Sequence, residues 1–366
     1  MLSQKFIEEH WARITLTSFL LLPFALLFSF ILKVRRFCFT IGIFKQYNSK
    51  CKIISVGNLV VGGTGKTPFT ILLAKYLKSS KESTSGGKGN SVAVSHRGYK
   101  GKFENMVKLI SDENSAYDCA KDAGDEPFML AKNLPGIPVI VGKNRTKAIK
   151  YLEKKFSPDY IILDDSFQHL KVKHNLDFLL FNAKNPIGNG FVMPAGMLRE
   201  PKSVIKFCDF IVFNNCSEDF VIPEWIKKYE KPIFQTEYEI ENFINYQTDE
   251  TEDISYFKNK KIYLISGIGN PESFENSIKN SGIDFSHHFI FPDHYHFRYE
   301  NDIRPIIRKG VKEKIDTILT TEKDFMKMQN FPLYEINFYY AKLNIKIIPM
   351  YRKKEFEELI NKHLQH

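Results

Sequence analysis

Short apolar runs bounded by turn residues recur along most of this chain. Between them lie segments whose apolar residues are spaced three and four apart. The first pattern predicts buried strands and the second predicts amphipathic helices. The clearest strand candidates are 52–56, 91–95, 138–142, 159–163, 176–181 and 210–213. Strands that alternate with helices predict a doubly wound, mainly parallel α/β sheet, whose ligands bind beyond the carboxyl ends of the strands.

The pattern changes after about Lys231. The segment from Tyr238 to Asp253 is polar and acidic with interspersed aromatic residues, and it predicts a linker or a short hairpin. A second strand, turn and helix pattern then begins at Lys261. A chain of 366 residues is long enough for two domains. We therefore predict a larger α/β domain over 37–235 and a smaller C-terminal α/β domain with its linker over 236–366.

Residues 1–36 form a third predicted part, a membrane-associated helix. No charged residue occurs from Ile14 to Leu32, and apolar side chains cover every face of the predicted helix. At 1.5 Å per residue this stretch is roughly 28 Å long, close to the thickness of a bilayer core. A cleaved signal peptide is disfavoured because Lys33, Arg35 and Arg36 follow without a small-residue cleavage site. A spanning helix, a helix embedded from one side and a buried core helix remain as alternatives.

Charge and cysteine content narrow the class of protein only modestly. The formal net charge is +10, spread along the chain, which favours acidic small molecules, anionic lipid surfaces or nucleic acid as partners. The five cysteines are odd in number and include no Cys-x-x-Cys pair. We therefore expect reduced thiols in a cytosolic setting, with neither a disulfide framework nor a zinc site.

The strongest chemical signal is a glycine-rich loop between the first predicted strand of the larger domain and the helix after it. Such a loop turns backbone N–H groups toward phosphate oxygens, and the helix N-terminus adds a positive dipole end. Lys66 is predicted to reach the β- and γ-phosphates, and Thr67 to offer its hydroxyl to Mg²⁺. The common pattern has glycine where this chain has Val60. The candidate nucleotide-binding residues are Val60, Val61, Gly62, Gly63, Thr64, Gly65, Lys66 and Thr67.

A pair of carboxylates ends a later apolar strand. Asp164 and Asp165 follow the run Tyr160 to Leu163. An Asp at the end of a buried strand holds Mg²⁺ or its waters in phosphate-loop enzymes, so we predict Thr67, Asp164 and Asp165 as the metal site. Gln168 and His169 come soon after and are expected at the same rim of the sheet.

Three other motifs are less specific. Gly267-x-Gly269 lacks a third glycine at the dinucleotide spacing, and we interpret it as a turn. His294 and His296 lack a third metal ligand at helical spacing. Thr321-Glu322-Lys323-Asp324 is not the pattern of a guanine-reading GTPase. A GTPase or metallochaperone, a nucleotide-binding membrane adaptor and a soluble sugar or nucleotide kinase are thus weaker alternatives.

Taken together, the motifs resemble the tetraacyldisaccharide 4′-kinases, the lipid A 4′-kinase family of Gram-negative bacteria. This chain departs from the family's usual sequence at three places. They are His96 before Arg-Gly-Tyr, Ser166-Phe167 after the two Asp, and Met197 before Leu-Arg-Glu. The matching segments are 56–59 and 62–68, Arg97-Gly98-Tyr99, Gly124-Asp125-Glu126-Pro127, Asp164-Asp165 with Gln168-His169, Pro194-Ala195-Gly196 with Leu198-Arg199-Glu200, 267–271, Phe291-Pro292-Asp293-His294, and 321–324.

The resemblance implies a P-loop kinase domain over 37–235 that phosphorylates the 4′-hydroxyl of a lipid A disaccharide 1-phosphate, giving lipid IV-A. It implies ATP and Mg²⁺ as cofactors and the cytoplasmic face of the bacterial inner membrane as the location. Membrane lipid and the lipid substrate are the expected partners, with no nucleic acid and no obligate protein partner.

The resemblance also implies roles for individual residues. Asp125 and His294 would form the catalytic base, with Lys66 on the transferred phosphate. Asp125 could otherwise be a helix-capping residue, and His294 an ordinary loop histidine. A third set is expected at the rim of the site, near phosphate, metal or lipid headgroup: Arg97, Gln168, His169, Arg199 and Glu200.

Overall fold

The computed structural model describes residues 11, 13–80, 90–99, 101–115, 120–217, 219–293, 295–328, 331–333, 335–349 and 352–365. Its helices are α1 (Leu16–Thr40), α2 (Lys66–Ser79), α3 (Ala120–Ala123), α4 (Asp125–Asn133), α5 (Arg145–Lys155), α6 (Glu224–Lys227), α7 (Pro271–Asn280), α8 (Arg304–Glu313), α9 (Glu322–Met328) and α10 (Arg352–Gln365). Its strands are β1 (Lys52–Asn58), β2 (Val92–His96), β3 (Lys108–Ser111), β4 (Val139–Val141), β5 (Tyr160–Asp164), β6 (Leu176–Asn182), β7 (Phe210–Asn214), β8 (Ile233–Asn245), β9 (Thr251–Glu252), β10 (Ile262–Ser266), β11 (His287–Ile290), β12 (Thr317–Thr321) and β13 (Asn337–Ile348).

The strands form one mostly parallel, 13-stranded sheet. Twelve of them follow the order β11-β10-β12-β13-β8-β7-β6-β1-β5-β2-β4-β3, and β9 pairs with β8 at the side. Strand β1 lies between β5 and β6 and is parallel to both. Its residues from Ile53 onward are buried, as expected for a parallel strand covered on both faces. The predicted α/β fold with a mainly parallel sheet and an apolar N-terminal helix is confirmed.

Two long strands join the halves of the sheet. Strand β13 pairs antiparallel with β8 from Tyr339 opposite Asn245 to Ile348 opposite Gln235. Much of the segment Tyr238–Asp253, predicted as a linker or short hairpin, is therefore the second half of β8, and the short β9 folds back on it. The sequence of β8 does not show the apolar pattern of a buried strand, because one face of the strand is only half-buried and carries polar side chains. The predicted domain boundary at 235/236 falls inside β8, and the division itself stays a prediction.

The last helix, α10, packs on the core beneath the phosphate loop. Phe356 is 2% exposed, and its ring centroid lies 4.9 Å from that of Phe234, 6.0 Å from that of Phe178 and 6.3 Å from that of Phe69. Phe69 belongs to α2, which follows the loop. Helix α10, near the C-terminal end of the chain, thus completes the core around Phe69, Phe178 and Phe234.

Phe356→Ala should lower the free energy of unfolding by about 3–5 kcal/mol, because it opens a cavity among three aromatic rings. Urea unfolding followed by tryptophan fluorescence measures this. The matched control is Lys354→Ala on the exposed side of the same helix, which should change the value by less than about 0.5 kcal/mol. Equal unfolding curves for both variants would show that α10 does not stabilise this core.

Helix α1 has one side on the protein and one in solvent. It begins at a capping box formed by Thr15 and Ser18, and it continues past the predicted apolar stretch to Thr40. It is long and apolar enough to cross a membrane, and only 11% of its most apolar window is buried. Its exposed apolar side chains include Leu16, Phe19, Leu20, Phe24, Leu26, Leu27, Phe30, Ile31, Val34 and Phe37. The alternative of a buried core helix is wrong, because these side chains face outward.

Candidate active site

The phosphate loop connects β1 to α2 at the centre of the sheet, so the predicted strand, loop and helix context is confirmed. Gly65 is the residue before α2 and has a φ of +75°, in the left-handed region that favours glycine. A Cβ at Gly65 would lie 2.6 Å from Nδ2 of Asn214 and would also collide with the hydroxyl of Tyr238. Any larger residue there would displace the loop. By contrast, Gly62 and Gly63 face open space.

Buried amides hold the loop from below. Nδ2 of Asn58 donates to Oγ1 of Thr64 at 2.9 Å, and Nδ2 of Asn214 donates to the Thr64 carbonyl at 2.6 Å. The hydroxyl of Thr236 in turn donates to Asn214. Asn58 and Asn214 are the last residues of β1 and β7. The role of Asn214 was not predicted, although an asparagine that ends an otherwise apolar strand is a usable signal in the sequence.

The structure brings Thr67 and Asp164, two of the predicted metal-site residues, into contact. The Thr67 hydroxyl donates to Oδ2 of Asp164 at 3.0 Å. Asp164 is 1% exposed, and its Oδ1 has no hydrogen-bond partner among the described residues. Burial raises the pKa of this carboxyl above its usual range. Such an unpartnered buried oxygen beside a hydroxyl suits a hard divalent cation.

Arg145 supports Asp164 from behind and was missed by the sequence analysis. Its guanidinium donates to the Asp164 carbonyl and, at 3.1 Å, to Oγ of Ser95. Burial lowers the pKa of Arg145 to about 10, which still leaves the group charged at neutral pH. The basic helix α5 carries several cations, and nothing in its pattern marks this one as buried.

Asp165 faces Lys66 and Arg199. Nη1 of Arg199 lies 2.8 Å from Oδ1 of Asp165 and 3.1 Å from Oδ2, and Nζ of Lys66 lies 3.6 Å from Oδ1. Burial alone would raise the pKa of Asp165, but the charges of Lys66 and Arg199 outweigh it and hold the pKa below its usual range. The carboxylate therefore stays ionised and orients both cations at the mouth of the loop.

A second acidic group lies at the start of α4. Nδ1 of His96 accepts from the Gly98 N–H at 2.9 Å, so Nε2 carries a proton toward Glu126, 3.1 Å away. Burial would raise the pKa of Glu126, yet the hydrogen bond from His96 and the charges of two nearby lysines lower it below its usual range. Asp125 is the first residue of the same helix. His294 lies outside the described residues.

The remaining predicted rim residues are placed as follows. Nε2 of Gln168 donates to the Asn58 carbonyl at 2.8 Å, beneath the loop. Burial and the nearby charge of Arg145 lower the pKa of His169 to about 4, so its imidazole is neutral. Arg97 is half-exposed and pairs with Glu104 at 3.3 Å.

Glu200 does not face the loop. It is fully buried and pairs with Arg36 of α1 at 2.6 Å.

The motif Thr321-Glu322-Lys323-Asp324 shapes a turn. Oδ2 of Asp324 accepts from the Gly267 N–H and from the Thr321 hydroxyl, each at 2.8 Å. Lys323 lies 3.1 Å from Asp293. The same segment thus fixes the turn after β10 and places one cation beside the residue that precedes His294.

A divalent cation at this site would depend on a bound nucleotide for most of its ligands. Among the described residues, no group of three or more His, Cys, Asp or Glu side chains is placed to hold a metal ion. One buried carboxylate and one hydroxyl, Asp164 and Thr67, match the sparse protein ligation that Mg²⁺ shows in phosphoryl-transfer sites. The residues present therefore fit Mg²⁺ together with a nucleoside triphosphate.

Comparison with known proteins agrees with the site. The family model described as tetraacyldisaccharide-1-P 4′-kinase (LpxK) matches residues 17–365. The tetraacyldisaccharide 4′-kinase of Desulfotalea psychrophila is 35% identical over 350 residues, which cover 93% of this chain and 94% of that protein. The enzyme of the same name from Desulfatibacillum aliphaticivorans is 28% identical over 361 residues, covering 96% and 94%.

A solved structure is also similar. The crystal structure of LpxK from Aquifex aeolicus in complex with ATP matches with a TM-score of 0.74 and 30% identity, over 95% of this chain and 100% of that one. These matches extend through the phosphate loop, the carboxylates after β5 and the C-terminal part, and they confirm the resemblance found in the sequence. The chain belongs to the tetraacyldisaccharide-1-P 4′-kinase family.

Proposed function

We propose that this protein transfers the γ-phosphoryl group of ATP to the 4′-hydroxyl of a tetraacyldisaccharide 1-phosphate, giving lipid IV-A in lipid A biosynthesis. The observation that carries the proposal is the pairing of Thr67 with the buried Asp164 beside Lys66, at the phosphate loop of a chain that belongs to this family. An adaptor that only bound nucleotide would have no need of a desolvated carboxylate with a free oxygen there.

Phosphoryl transfer requires positioning and charge neutralisation more than covalent chemistry. The loop amides and Lys66 would hold the β- and γ-phosphates, and Lys66 would exchange its contact with Asp165 for phosphate oxygens. Thr67 and Asp164 would hold Mg²⁺, with Asp165 close to them. When bound, Mg²⁺ neutralises charge that develops on the phosphates. Arg199, paired with Asp165, would add a second cation near the transferred group.

A sugar hydroxyl needs a base that accepts its proton as the new P–O bond forms. We assign this role to Asp125, with His294 as its partner. Asp125 lies at the N-terminus of α4, one residue from Glu126, whose carboxylate is already engaged with His96. The assignment of Asp125 rests on the segment Gly124-Asp125-Glu126-Pro127, which this chain shares with the family.

The identity of the product tests the proposal. The purified protein would be incubated with ATP, Mg²⁺ and detergent-solubilised tetraacyldisaccharide 1-phosphate, and the lipid product analysed by ³¹P–¹H correlation NMR. We expect a new phosphate monoester coupled to the proton at carbon 4′, with ATP preferred to GTP. A phosphate at another position, or an unmodified lipid with GTP bound in preference to ATP, would contradict the assignment.

Helix α1 supports a proposal for the location of the enzyme. We propose that α1 is embedded from one side, at the cytoplasmic face of the inner membrane, and does not span the bilayer. Nδ2 of Asn189 lies 3.4 Å from Oγ of Ser18 near the start of α1, and Arg36 is buried near its end. A helix attached to the catalytic part at both ends could span only by drawing polar loops into the hydrocarbon.

Replacing Leu20 and Leu27 together by serine should weaken binding to anionic vesicles. Both side chains are more than half exposed, and each lost Leu contact with lipid costs about 1.5–3 kcal/mol. Co-sedimentation with vesicles measures the effect. Lys353→Ser in α10 is the control and should pellet like the wild type. Undiminished pelleting of the double variant would refute α1 as the membrane contact.

A further inference from the structure

Arg36 is an unusual residue for a membrane-facing helix. Although most of α1 is exposed, Arg36 is 7% exposed, and its Nη2 lies 2.6 Å from Oε2 of the fully buried Glu200. Its guanidinium also lies over two aromatic rings, 5.0 Å from the centroid of Phe167 and 5.2 Å from that of Phe207. The C-terminal turns of α1 are therefore attached to the catalytic part through this buried cation.

The buried charges of Arg36 and Glu200 compensate each other through a single ion-pair contact. Among the described residues, Oε1 of Glu200 has no hydrogen-bond partner, and neither has Nε of Arg36. A single contact between charged groups thus offsets the burial of both. A buried ion pair with unsatisfied atoms is a poor source of stability compared with apolar packing. Its value lies in fixing one arrangement of the segments that carry the two charges.

The segment that carries Glu200 leads directly to the nucleotide site. Arg199, the preceding residue, donates its main-chain N–H to the Leu59 carbonyl at 2.6 Å, where the phosphate loop begins. Its guanidinium holds Asp165 at 2.8 Å, and Asp165 lies 3.6 Å from Nζ of Lys66. Moving Glu200 would therefore move the cation that orients Asp165.

A second route starts from the same turn of α1. Nη2 of Arg36 donates to the Phe167 carbonyl at 3.4 Å, and Nη2 of Arg35 donates to the Gln168 carbonyl at 3.1 Å. The Gln168 side chain in turn donates to the Asn58 carbonyl at 2.8 Å, at the end of β1. Both routes end where the phosphate loop begins, at the adjacent carbonyls of Asn58 and Leu59.

We propose that the Arg36–Glu200 ion pair makes the end of α1 part of the nucleotide site, with Arg36 as a positioning residue that sets Arg199 and Asp165 against Lys66. The membrane helix thereby contributes to ATP binding as well as to attachment. This inference rests on the proposed function only in assigning Lys66, Asp165 and Arg199 to the nucleotide site. It requires no particular lipid acceptor.

A double-mutant cycle between Arg36 and Arg199 tests the proposal. The dissociation constant of a non-hydrolysable ATP analogue would be measured in detergent for the wild type, Arg36→Gln, Arg199→Gln and the double variant. We expect Arg36→Gln to weaken binding about tenfold and to have little further effect once Arg199 is replaced, because coupled residues are not additive. Lys33→Gln, an exposed cation of the same helix, should bind like the wild type.

Arg36→Gln leaves a buried carboxylate without its cation, so thermal unfolding is recorded for every variant. If it fails to fold, Arg36→Gln combined with Glu200→Gln replaces it. That double variant should recover the melting temperature but retain weakened binding of the analogue. Fully additive effects in the cycle, or wild-type affinity in a folded Arg36 variant, would overturn the proposal. The dissociation constant of the analogue is measured without lipid. A wild type that binds the analogue but fails to phosphorylate lipid would therefore count against the proposed function and not against the role of Arg36.

Discussion

Asp125→Ala should lower kcat by about 10²–10⁴-fold while leaving the affinity for ATP nearly unchanged, because a general base contributes to the transition state in this range. Asp125 begins α4 outside the phosphate loop, so its loss should not disturb the phosphates. Steady-state transfer to the lipid, together with equilibrium binding of ATP, separates the two effects. The alternative of a helix-capping residue predicts a loss of stability with turnover retained.

Glu113→Ala serves as the control for this experiment. Glu113 is an exposed carboxylate in the loop after β3, so its removal changes the net charge equally without altering the site. We expect wild-type turnover from it. An Asp125→Ala variant that folds normally and also keeps near-normal turnover would remove Asp125 from the mechanism and leave Glu126 as the carboxylate to test.

Asp164→Asn should lower kcat by about 10²-fold or more and weaken the dependence of the reaction on Mg²⁺, since electrostatic groups aimed at the transferred phosphoryl contribute several kcal/mol. The amide keeps the shape of the side chain and can still accept from Thr67. It loses the negative charge that Oδ1 offers to a cation. Titration of turnover with Mg²⁺ measures both changes.

Asp159→Asn is the matched control, on the same segment but at the opposite end of β5. Asp159 is exposed, and Oδ2 accepts from Ser91 at 2.8 Å, far along the strand from the phosphate loop. Its Mg²⁺ dependence should equal that of the wild type. If Asp164→Asn showed the same Mg²⁺ dependence as Asp159→Asn, Asp164 would not be part of a metal site.

The local parts of this site could be predicted from the sequence because they lie within one strand, loop and helix. Glycines followed by Lys66 and Thr67 between a strand and a helix are compatible with few structures other than a phosphate loop. A carboxylate that ends a buried strand must lie at the carboxyl edge of the sheet. The placement of Asp164 beside Thr67 followed from parallel pairing of β1 with β5. The apolar face of α1 was equally visible, since it depends on side-chain type and helical period alone.

The long-range partners could not be predicted in this way. Asn214 and Thr236 support the loop from β7 and β8, and the local pattern of these segments does not indicate that they lie beside the phosphate loop. The pairing of Arg36 with Glu200 joins residues far apart in the chain. In the sequence, Arg36 is one of several cations after the apolar helix, and Glu200 was expected at the rim of the nucleotide site. The segment 238–253 was predicted only as a linker or a short hairpin, and the length of β8 was not predicted because its half-buried face is polar. Tertiary packing decides each of these cases.

The most direct test of lipid phosphorylation at this loop compares the wild type with Lys66→Ala in one assay. Purified full-length protein would receive γ-labelled ATP, Mg²⁺ and detergent-solubilised tetraacyldisaccharide 1-phosphate, and labelled lipid would be counted over time. We expect labelled lipid from the wild type and a loss of about 10²–10³-fold in the variant, as for removal of one charge-stabilising donor. A wild type that binds ATP but labels no lipid, or a Lys66→Ala variant as active as the wild type, would contradict the assignment of this loop to lipid phosphorylation.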